Sequence, residues 1–180
     1  FIVTMGSPIR PILSNIFMVE LETTVLPTLT SYMTKWKRYV DDTICYINEN
    51  AIENVLTKLN SHHSNIKFTY EKEKDNKISF LDVLIERSEG TITTSVSHKK
   101  TNSDIYLHWN SYAPTNWKRG TLRTLIQRAH RICSDRLVLN KEIDYIKRIF
   151  KVDNGYPEWV ININDVINKV EEKINSSTDI

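Results

Sequence analysis

Two adjacent aspartates, flanked on both sides by strand-forming residues, are the feature that most constrains the fold of this chain. In the stretch 37–47, aromatic and β-branched residues flank the pair Asp41-Asp42 on both sides. Such runs are typical of short strands, so the pattern predicts a β-hairpin whose turn holds the two carboxylates. Like charges this close repel one another unless a cation lies between them, and oxygen-only anionic ligands suit Mg²⁺. Aspartate is also a common turn former, so this stretch alone leaves both interpretations open.

The length and composition are those of an ordinary globular protein. The 180 residues suffice for one sizeable domain or for parts of two, and 40% of them are apolar and 26% charged. Because the chain has no run of 18 or more apolar residues, no transmembrane helix is expected. No signal peptide is recognisable either.

The positive charge is concentrated in one segment. Residues 97–136 carry eight Lys or Arg against two acids, so this segment has a charge of +6 while the rest of the chain has −4, out of a net +2. A basic segment on an otherwise acidic chain favours a surface that binds a polyanion. A plain solvated surface is the equally weighted alternative.

The apolar pattern up to about residue 98 predicts an α+β domain with an antiparallel sheet and helices on one face. A first helix should begin at Ser7-Pro8 and end near Leu26, before Pro27. A second, short helix follows the acidic hairpin, around residues 52–59. Strands are expected at 66–71, 78–87 and 91–97.

The second half of the sequence predicts helices. Trp117 to Ser134, Asn140 to Phe150 and Trp159 to Ile174 each have apolar residues at helical spacing. The boundary between the α+β part and the helical part is expected near residues 98–115, where aromatic and polar residues alternate irregularly.

Several strings resemble the reverse transcriptases of Penelope-like retroelements. Residues 5–18, Met-Gly-Ser-Pro-Ile-Arg-Pro-Ile-Leu-Ser-Asn-Ile-Phe-Met, are similar to the template-and-nucleotide helix of reverse transcriptases, and Tyr39-Val40-Asp41-Asp42 matches their Tyr-x-Asp-Asp hairpin. Residues 78–83, 98–107 and 128–134 resemble the Penelope-like members in particular. The resemblance extends over residues 4–136.

The resemblance implies a partial polymerase palm at residues 1–98, followed by a connection and a helical thumb at residues 99–180. It makes Asp41 the main ligand of a catalytic Mg²⁺, or alternatively Mn²⁺, with Asp42 assisting. It also places Gly6, Ser7, Pro8 and Tyr39 against the template and the incoming nucleotide.

The resemblance further implies a surface for the primer and the duplex. Phe80, Leu81 and Asp82 fall where a primer grip is expected, although a buried strand is as good an interpretation for Phe80 and Leu81. Cationic side chains on one helix face neutralise phosphates without reading sequence. The candidates for this role are Lys99, Lys100, Lys118, Arg119 and Arg123.

The implied function is that of an RNA-directed DNA polymerase acting on an RNA template, a DNA primer and deoxynucleoside triphosphates. The fingers and one palm strand with a further catalytic aspartate are expected in a longer chain, so we expect this segment to be inactive by itself. Two alternatives remain open: a non-catalytic nucleic-acid-binding remnant of a retroelement, and a domain whose basic helix binds a protein. An intracellular, nuclear location is expected for a retroelement enzyme, although the sequence contains no visible signal.

Overall fold

The computed structural model of the chain describes residues 8–161, apart from the side chain of Arg10. Five α-helices and two small antiparallel sheets are present in that part of the chain, which confirms the mixed α+β class. The contacts divide the chain into two compact units, with the division between Lys72 and Glu73. The boundary expected between residues 98 and 99 stays a prediction. So does the interpretation of the two parts as a palm and a thumb.

The first unit consists of a β-hairpin between two helices. Pro27 lies where the first helix changes to a 3-10 turn, because proline has no N–H to continue the α-helical ladder. The elements are α1 (Arg10–Val25), the 3-10 turn Leu26–Leu29, β1 (Met33–Tyr39), β2 (Asp42–Ile47), the 3-10 turn Glu49–Ala51 and α2 (Ile52–Ser61). The hairpin that the acidic pair predicts is therefore confirmed.

Only one side of α1 contributes to the core of the first unit. Leu21 and Val25 are buried with Leu29, and they pack with apolar side chains from β1 and α2. The apolar residues on the other side of the helix are exposed in this structure: Ile9, Ile12, Leu13, Ile16 and Val19. The helical spacing in the sequence thus indicated the helix correctly but not which apolar residues it buries.

The segment Pro11–Leu29 is long and apolar enough, by length and composition, to cross a membrane. This differs from the expectation of no transmembrane helix, which rested on the lack of an unbroken run of 18 apolar residues. The same length and composition occur in helices that lie in protein cores. In this chain Glu22 is ion-paired with Arg38 of β1.

Up to residue 161, where the described part of the chain ends, the second unit consists of a three-stranded antiparallel sheet and three helices. Its elements are β3 (Lys77–Phe80), β4 (Val83–Ser88), β5 (Thr91–Val96), α3 (Thr115–Ile132), α4 (Arg136–Val152) and α5 (Glu158–Ile161). The strands pair in the order β3-β4-β5, and α3 and α4 both contact β5. The core lies between the two long helices and β5, with Leu122, Ile126, Ile149 and Phe150 almost fully buried.

The structure corrects several boundaries. The strand expected at 78–87 is two strands, because the chain turns at Leu81-Asp82 and pairs Phe80 with Val83. The strand expected at 66–71 is not formed. Instead, the side-chain amide of Asn60 donates to the Phe68 carbonyl and accepts from the Phe68 N–H. Most of the third predicted helix, and the helix entry at Gly6 and Ser7, lie outside the described residues.

The amide of Asn154 joins the end of α4 to the loop before α3. Its Oδ1 accepts the Tyr106 N–H at 2.6 Å, and its Nδ2 donates to the carbonyls of Asp104 and Ile149 at 2.9 and 3.0 Å. The side chain has no exposed surface, so each of these bonds replaces a bond to water. A polar group as deeply buried as this one is stable only while its partners stay in place.

We predict that Asn154→Ala lowers the free energy of unfolding of the second unit by about 3 kcal/mol or more, because it leaves buried backbone groups without partners. Asn140→Ala is the matched control, since Asn140 is exposed on α4 and its loss should change stability by less than about 0.5 kcal/mol. Hydrogen exchange of the α4 amides in increasing urea measures both. Equal effects of the two substitutions would contradict the prediction.

Candidate functional site

The acidic hairpin presents its carboxylates at an exposed tip. Tyr39 pairs with Asp42 across a two-residue turn formed by Val40 and Asp41, and all four residues are exposed. Val40 has a φ of 55°, a left-handed conformation that is an outlier for a β-branched residue. Backbone strain of this kind is found at functional sites more often than elsewhere, and it costs about 1–3 kcal/mol.

Arg38 fixes this turn to α1. Its Nη1 donates to the Val40 carbonyl at 3.0 Å, while its Nε donates to Oε1 of Glu22 at 2.6 Å. Glu22 also accepts the indole N–H of Trp36 at 2.8 Å. The hydrogen bond from Arg38 holds the pKa of the Glu22 carboxyl below its usual value, so Glu22 stays charged at neutral pH. The turn backbone is therefore supported by an ion pair rather than by the turn residues alone.

The acidic hairpin offers the carboxylates of Asp41 and Asp42 as ligands for a cation. A hard ion such as Mg²⁺ takes one or two carboxylates and fills its remaining positions with water or phosphate oxygens, so Asp41 and Asp42 are suitable in type. Within residues 8–161, however, no group of three or more His, Cys, Asp or Glu side chains is arranged to share a metal. Pro8 is exposed just before α1, and Gly6 and Ser7 lie outside the described residues.

A second tight hairpin carries Phe80, Leu81 and Asp82. Leu81, like Val40, has a φ of 55° and is followed by an aspartate. Phe80 is half-buried, whereas Leu81 and Asp82 are exposed at the turn, so the interpretation as a continuous buried strand is wrong for Leu81. Asp82 Oδ2 lies 3.5 Å from Nη1 of Arg128 on α3.

A polar pocket of about 350 Å³ adjoins this second hairpin. The structure brings Leu81, Asp82 and Lys99 together there, with Arg128 as a cation that the sequence analysis did not select. His98 also lines the pocket, and its Nε2 lies 2.9 Å from a carboxylate oxygen of Glu142 on α4. Lys100 is exposed but does not line the pocket.

One side of α3 is cationic and solvent-exposed. Arg119, Arg123 and Arg131 follow one another at multiples of four residues, which places them along one side of a helix. The sequence of α3 contains no acidic residue. Arg119 lies over the ring of Trp159, at 5.2 Å from its centroid. In the described part of the chain, neither Arg123 nor Arg131 forms an ion pair.

Lys118 differs from its neighbours on α3. It is buried, with 7% of its surface exposed, and its Nζ donates to the carbonyls of Trp109 and Ser111 at 2.6 and 2.7 Å. Its ammonium also lies 5.4 Å from the centroid of the Trp109 ring. The role in duplex binding expected for Lys118 therefore needs correction, because a phosphate could reach this charge only if both hydrogen bonds broke.

The aromatic side chains before α3 mostly pack inside the second unit. Tyr106 stacks on Phe150 at 5.3 Å between ring centroids, and Trp109 contacts Tyr156 at 5.2 Å. Trp117 is different, since it is exposed at the start of α3. Tyr106 and Trp109 are therefore engaged with the core and are not free to stack on bases.

A turn of three residues, Cys133 to Asp135, joins α3 to α4. Asp135 caps α4 through a 2.7 Å bond from the Leu137 N–H to its carboxylate. The turn is held to strand β5, since Thr94 and Ser134 exchange backbone and side-chain hydrogen bonds of 3.1 and 2.9 Å. Two long helices joined by so short a turn are found both in αα-hairpins and in helix-turn-helix units.

The first turns of α4 expose a mixed polar surface that the sequence analysis missed. The expected start of this helix was Asn140, whereas Asp135 and the apolar residues after it are the signals for an earlier start. The exposed residues of this part of α4 are Arg136, Leu137, Asn140, Lys141 and Asp144.

The comparison with protein families agrees with this geometry. A model described as "Animal helix-turn-helix domain" matches residues 105–164, which include α3, the turn and α4. The comparisons with curated proteins and with solved structures gave no match.

The resemblance to Penelope-like reverse transcriptases is thereby overturned as a family assignment. The matching model describes a helix-turn-helix domain, and it covers part of the segment interpreted as a thumb. The motifs behind the assignment are short and local. A Tyr-x-Asp-Asp string indicates a hairpin with two carboxylates, which the structure contains, but a hairpin of this kind is compatible with many folds.

We predict that Lys118→Met lowers the free energy of unfolding of the second unit by about 2 kcal/mol, because two partly buried carbonyls lose a charged donor. Arg123→Gln, five residues further along the same helix and exposed, should change it by less than about 0.5 kcal/mol. Urea denaturation with hydrogen exchange of the α3 amides measures the difference. A destabilisation by Arg123→Gln equal to that by Lys118→Met would refute the distinction between the two residues.

Proposed function

We propose that residues 105–164 bind DNA as a helix-turn-helix unit. The observation that carries the proposal is that the family model matches the segment in which two amphipathic helices are joined by a capped turn of three residues. The charge supports it, since the exposed side of α3 is cationic and α3 contains no acid. Nucleic-acid binding depends on such charge, because each phosphate neutralised releases condensed counterions.

The two helices have different parts in this proposal. In helix-turn-helix proteins the second helix enters the major groove with its first residues near the base edges, while the first helix crosses the backbone. The second helix here is α4, whose first turns expose Arg136, Asn140 and Lys141. Arginine suits guanine and asparagine suits adenine, since each forms paired hydrogen bonds with the respective base edge.

We predict salt-dependent binding of the chain to duplex DNA, with a preferred sequence obtainable by selection from a randomised pool. Arg136→Gln and Lys141→Gln should each lower the slope of log affinity against log salt by about 1, because each removes a cation that neutralises a phosphate. Asn140→Ala should leave that slope unchanged while lowering discrimination at one base pair by about 1–3 kcal/mol.

Lys35→Gln on β1 is the charge-matched control, because it removes an exposed lysine from the first unit. Fluorescence anisotropy with labelled duplexes at several salt concentrations measures all of these variants. The proposal fails if the wild-type chain shows no duplex binding, or if Lys35→Gln lowers the slope as much as the α4 variants do.

A second candidate function is metal-dependent nucleotidyl transfer at the acidic hairpin. The exposed pair Asp41-Asp42 on a strained turn favours it. In this candidate Asp41 is the main ligand of Mg²⁺ or Mn²⁺, Asp42 assists and Tyr39 lies beside the primer end. Such ions stabilise the attacking hydroxyl and the leaving pyrophosphate. The substrates would be deoxynucleoside triphosphates on an RNA-templated primer, with the first unit as part of a palm and the long helices as a thumb.

We predict for this candidate that Mn²⁺ broadens the amide resonances of Asp41 and Asp42, and that Asp41→Asn weakens this effect about tenfold or more. The estimate is a lower bound, because losing even an outer partner of a metal ligand costs about tenfold in affinity. Asp82→Asn is the matched control, since Asp82 also follows a residue with a φ of 55° at a hairpin turn. If Mn²⁺ broadens the Asp82 amide resonance as strongly as those of Asp41 and Asp42, the acidic hairpin has no greater affinity for the ion than another surface turn.

A further inference from the structure

Gly120 occupies a half-buried helical position where the fold does not require glycine. A Cβ built on it meets no atom within 4 Å, and its backbone φ is not positive. A glycine inside a helix is less stable than an alanine, because it loses more backbone freedom on folding. Neither packing nor backbone conformation within the described structure therefore accounts for glycine at this position.

The side chains around Gly120 form a cationic surface, which we call the α3 basic face. Arg123 follows Gly120 by three residues, and helical residues three or four apart are neighbours on the surface. Arg123 and Arg131 have no acidic partner among the described residues. The members of the α3 basic face are Arg119, Gly120, Arg123, Gln127 and Arg131.

Arg119 has a fixed position at one edge of this face. Its guanidinium lies over Trp159, whose ring in turn contacts the ring of Trp109 at 5.8 Å between centroids. Trp109 is held by hydrogen bonds of its backbone to Asn154 and Lys118. The cation beside Gly120 is therefore oriented before any ligand arrives, which lowers the entropic cost of binding.

We infer that the α3 basic face is where the sugar–phosphate backbone of a DNA duplex lies closest to this protein, with a phosphate over Gly120. Glycine permits a close approach of a ligand to the helix backbone, since no side chain stands between them. The approach brings the phosphate within reach of the guanidiniums of Arg119 and Arg123. This inference rests on the proposed DNA binding and identifies α3 as a main contact of the interface.

A nucleic-acid backbone suits this face better than an acidic protein surface. The centres of protein interfaces are rich in apolar and aromatic side chains, whereas the α3 basic face contains only glycine, arginine and glutamine. Trp117 and Trp159 border the face, one turn before Gly120 and against Arg119 respectively. Phosphates are bound by arginine in paired hydrogen bonds that need no apolar surroundings.

Replacing Gly120 with alanine should change the stability of the second unit and its affinity for DNA in opposite directions. Gly120→Ala should raise the urea midpoint of the second unit and yet weaken binding to a mixed-sequence duplex about threefold, and Gly120→Gln should weaken binding about tenfold. Arg123→Gln should lower the salt slope by about 1. Thr121→Gln is the matched control, because it adds a side chain of the same type one residue away, outside the α3 basic face, and should bind like the wild type.

Anisotropy titrations of the full chain and urea denaturation distinguish the outcomes. If the wild-type chain does not bind the duplex, the proposed DNA-binding function is wrong. Wild-type binding that Gly120→Gln leaves unchanged would overturn the inference while the proposed function stands, with α4 as the main contact. Loss of binding in Thr121→Gln equal to that in Gly120→Gln would also overturn it. A polyglutamate peptide that binds as tightly as the duplex and depends on Gly120 would assign the face to a protein partner instead.

Discussion

The second unit depends on one buried amide. Asn154 holds the loop before α3 through Tyr106 and Asp104, and it holds the end of α4 through Ile149. Gly155 follows with a φ of 69°, and the ring of His108 lies 2.8 Å from where its Cβ would be. The loop is thus closed against the end of α4 by hydrogen bonds and by the absence of a side chain. Because Asn154 is fully buried, the loss of any one partner would leave a buried polar group without a hydrogen bond.

The rigidity of this loop extends to the surface of α3. The loop supplies the two carbonyls that bind Lys118 at the start of α3, while the hydroxyl of Thr94 on β5 donates to the carbonyl of Ile132 at its end. With both ends fixed, the exposed arginines are carried on a helix that does not have to be ordered on binding. A preorganised surface retains more of its interaction energy as affinity. The acidic hairpin of the first unit is supported in a comparable way, by Arg38 between Glu22 and the Val40 carbonyl.

Helices were easier to predict than turns in this chain. The apolar spacing of α3 is repeated over several turns, so its limits followed closely from the pattern. The turn at Leu81 was missed because Asp82 is its single turn-forming residue and leucine rarely adopts a positive φ. The start of α4 was missed as well, although Asp135 is a common capping residue. The family assignment was wrong because short motifs describe local structure, whereas a family is defined by a longer pattern.

The sequence by itself determined the α+β class, the acidic hairpin and the concentration of basic residues on the helix that became α3. Only the tertiary structure decided which of those cations are available. Lys118 and Arg123 lie on the same helix, but the loop held by Asn154 covers one side of it and leaves the other exposed. Lys118 therefore binds backbone carbonyls, whereas Arg123 extends into solvent beside Gly120. The reason is geometric, because the loop just before α3 folds back over Lys118 and places the carbonyls of Trp109 and Ser111 against its ammonium, whereas Arg123 lies on the uncovered side.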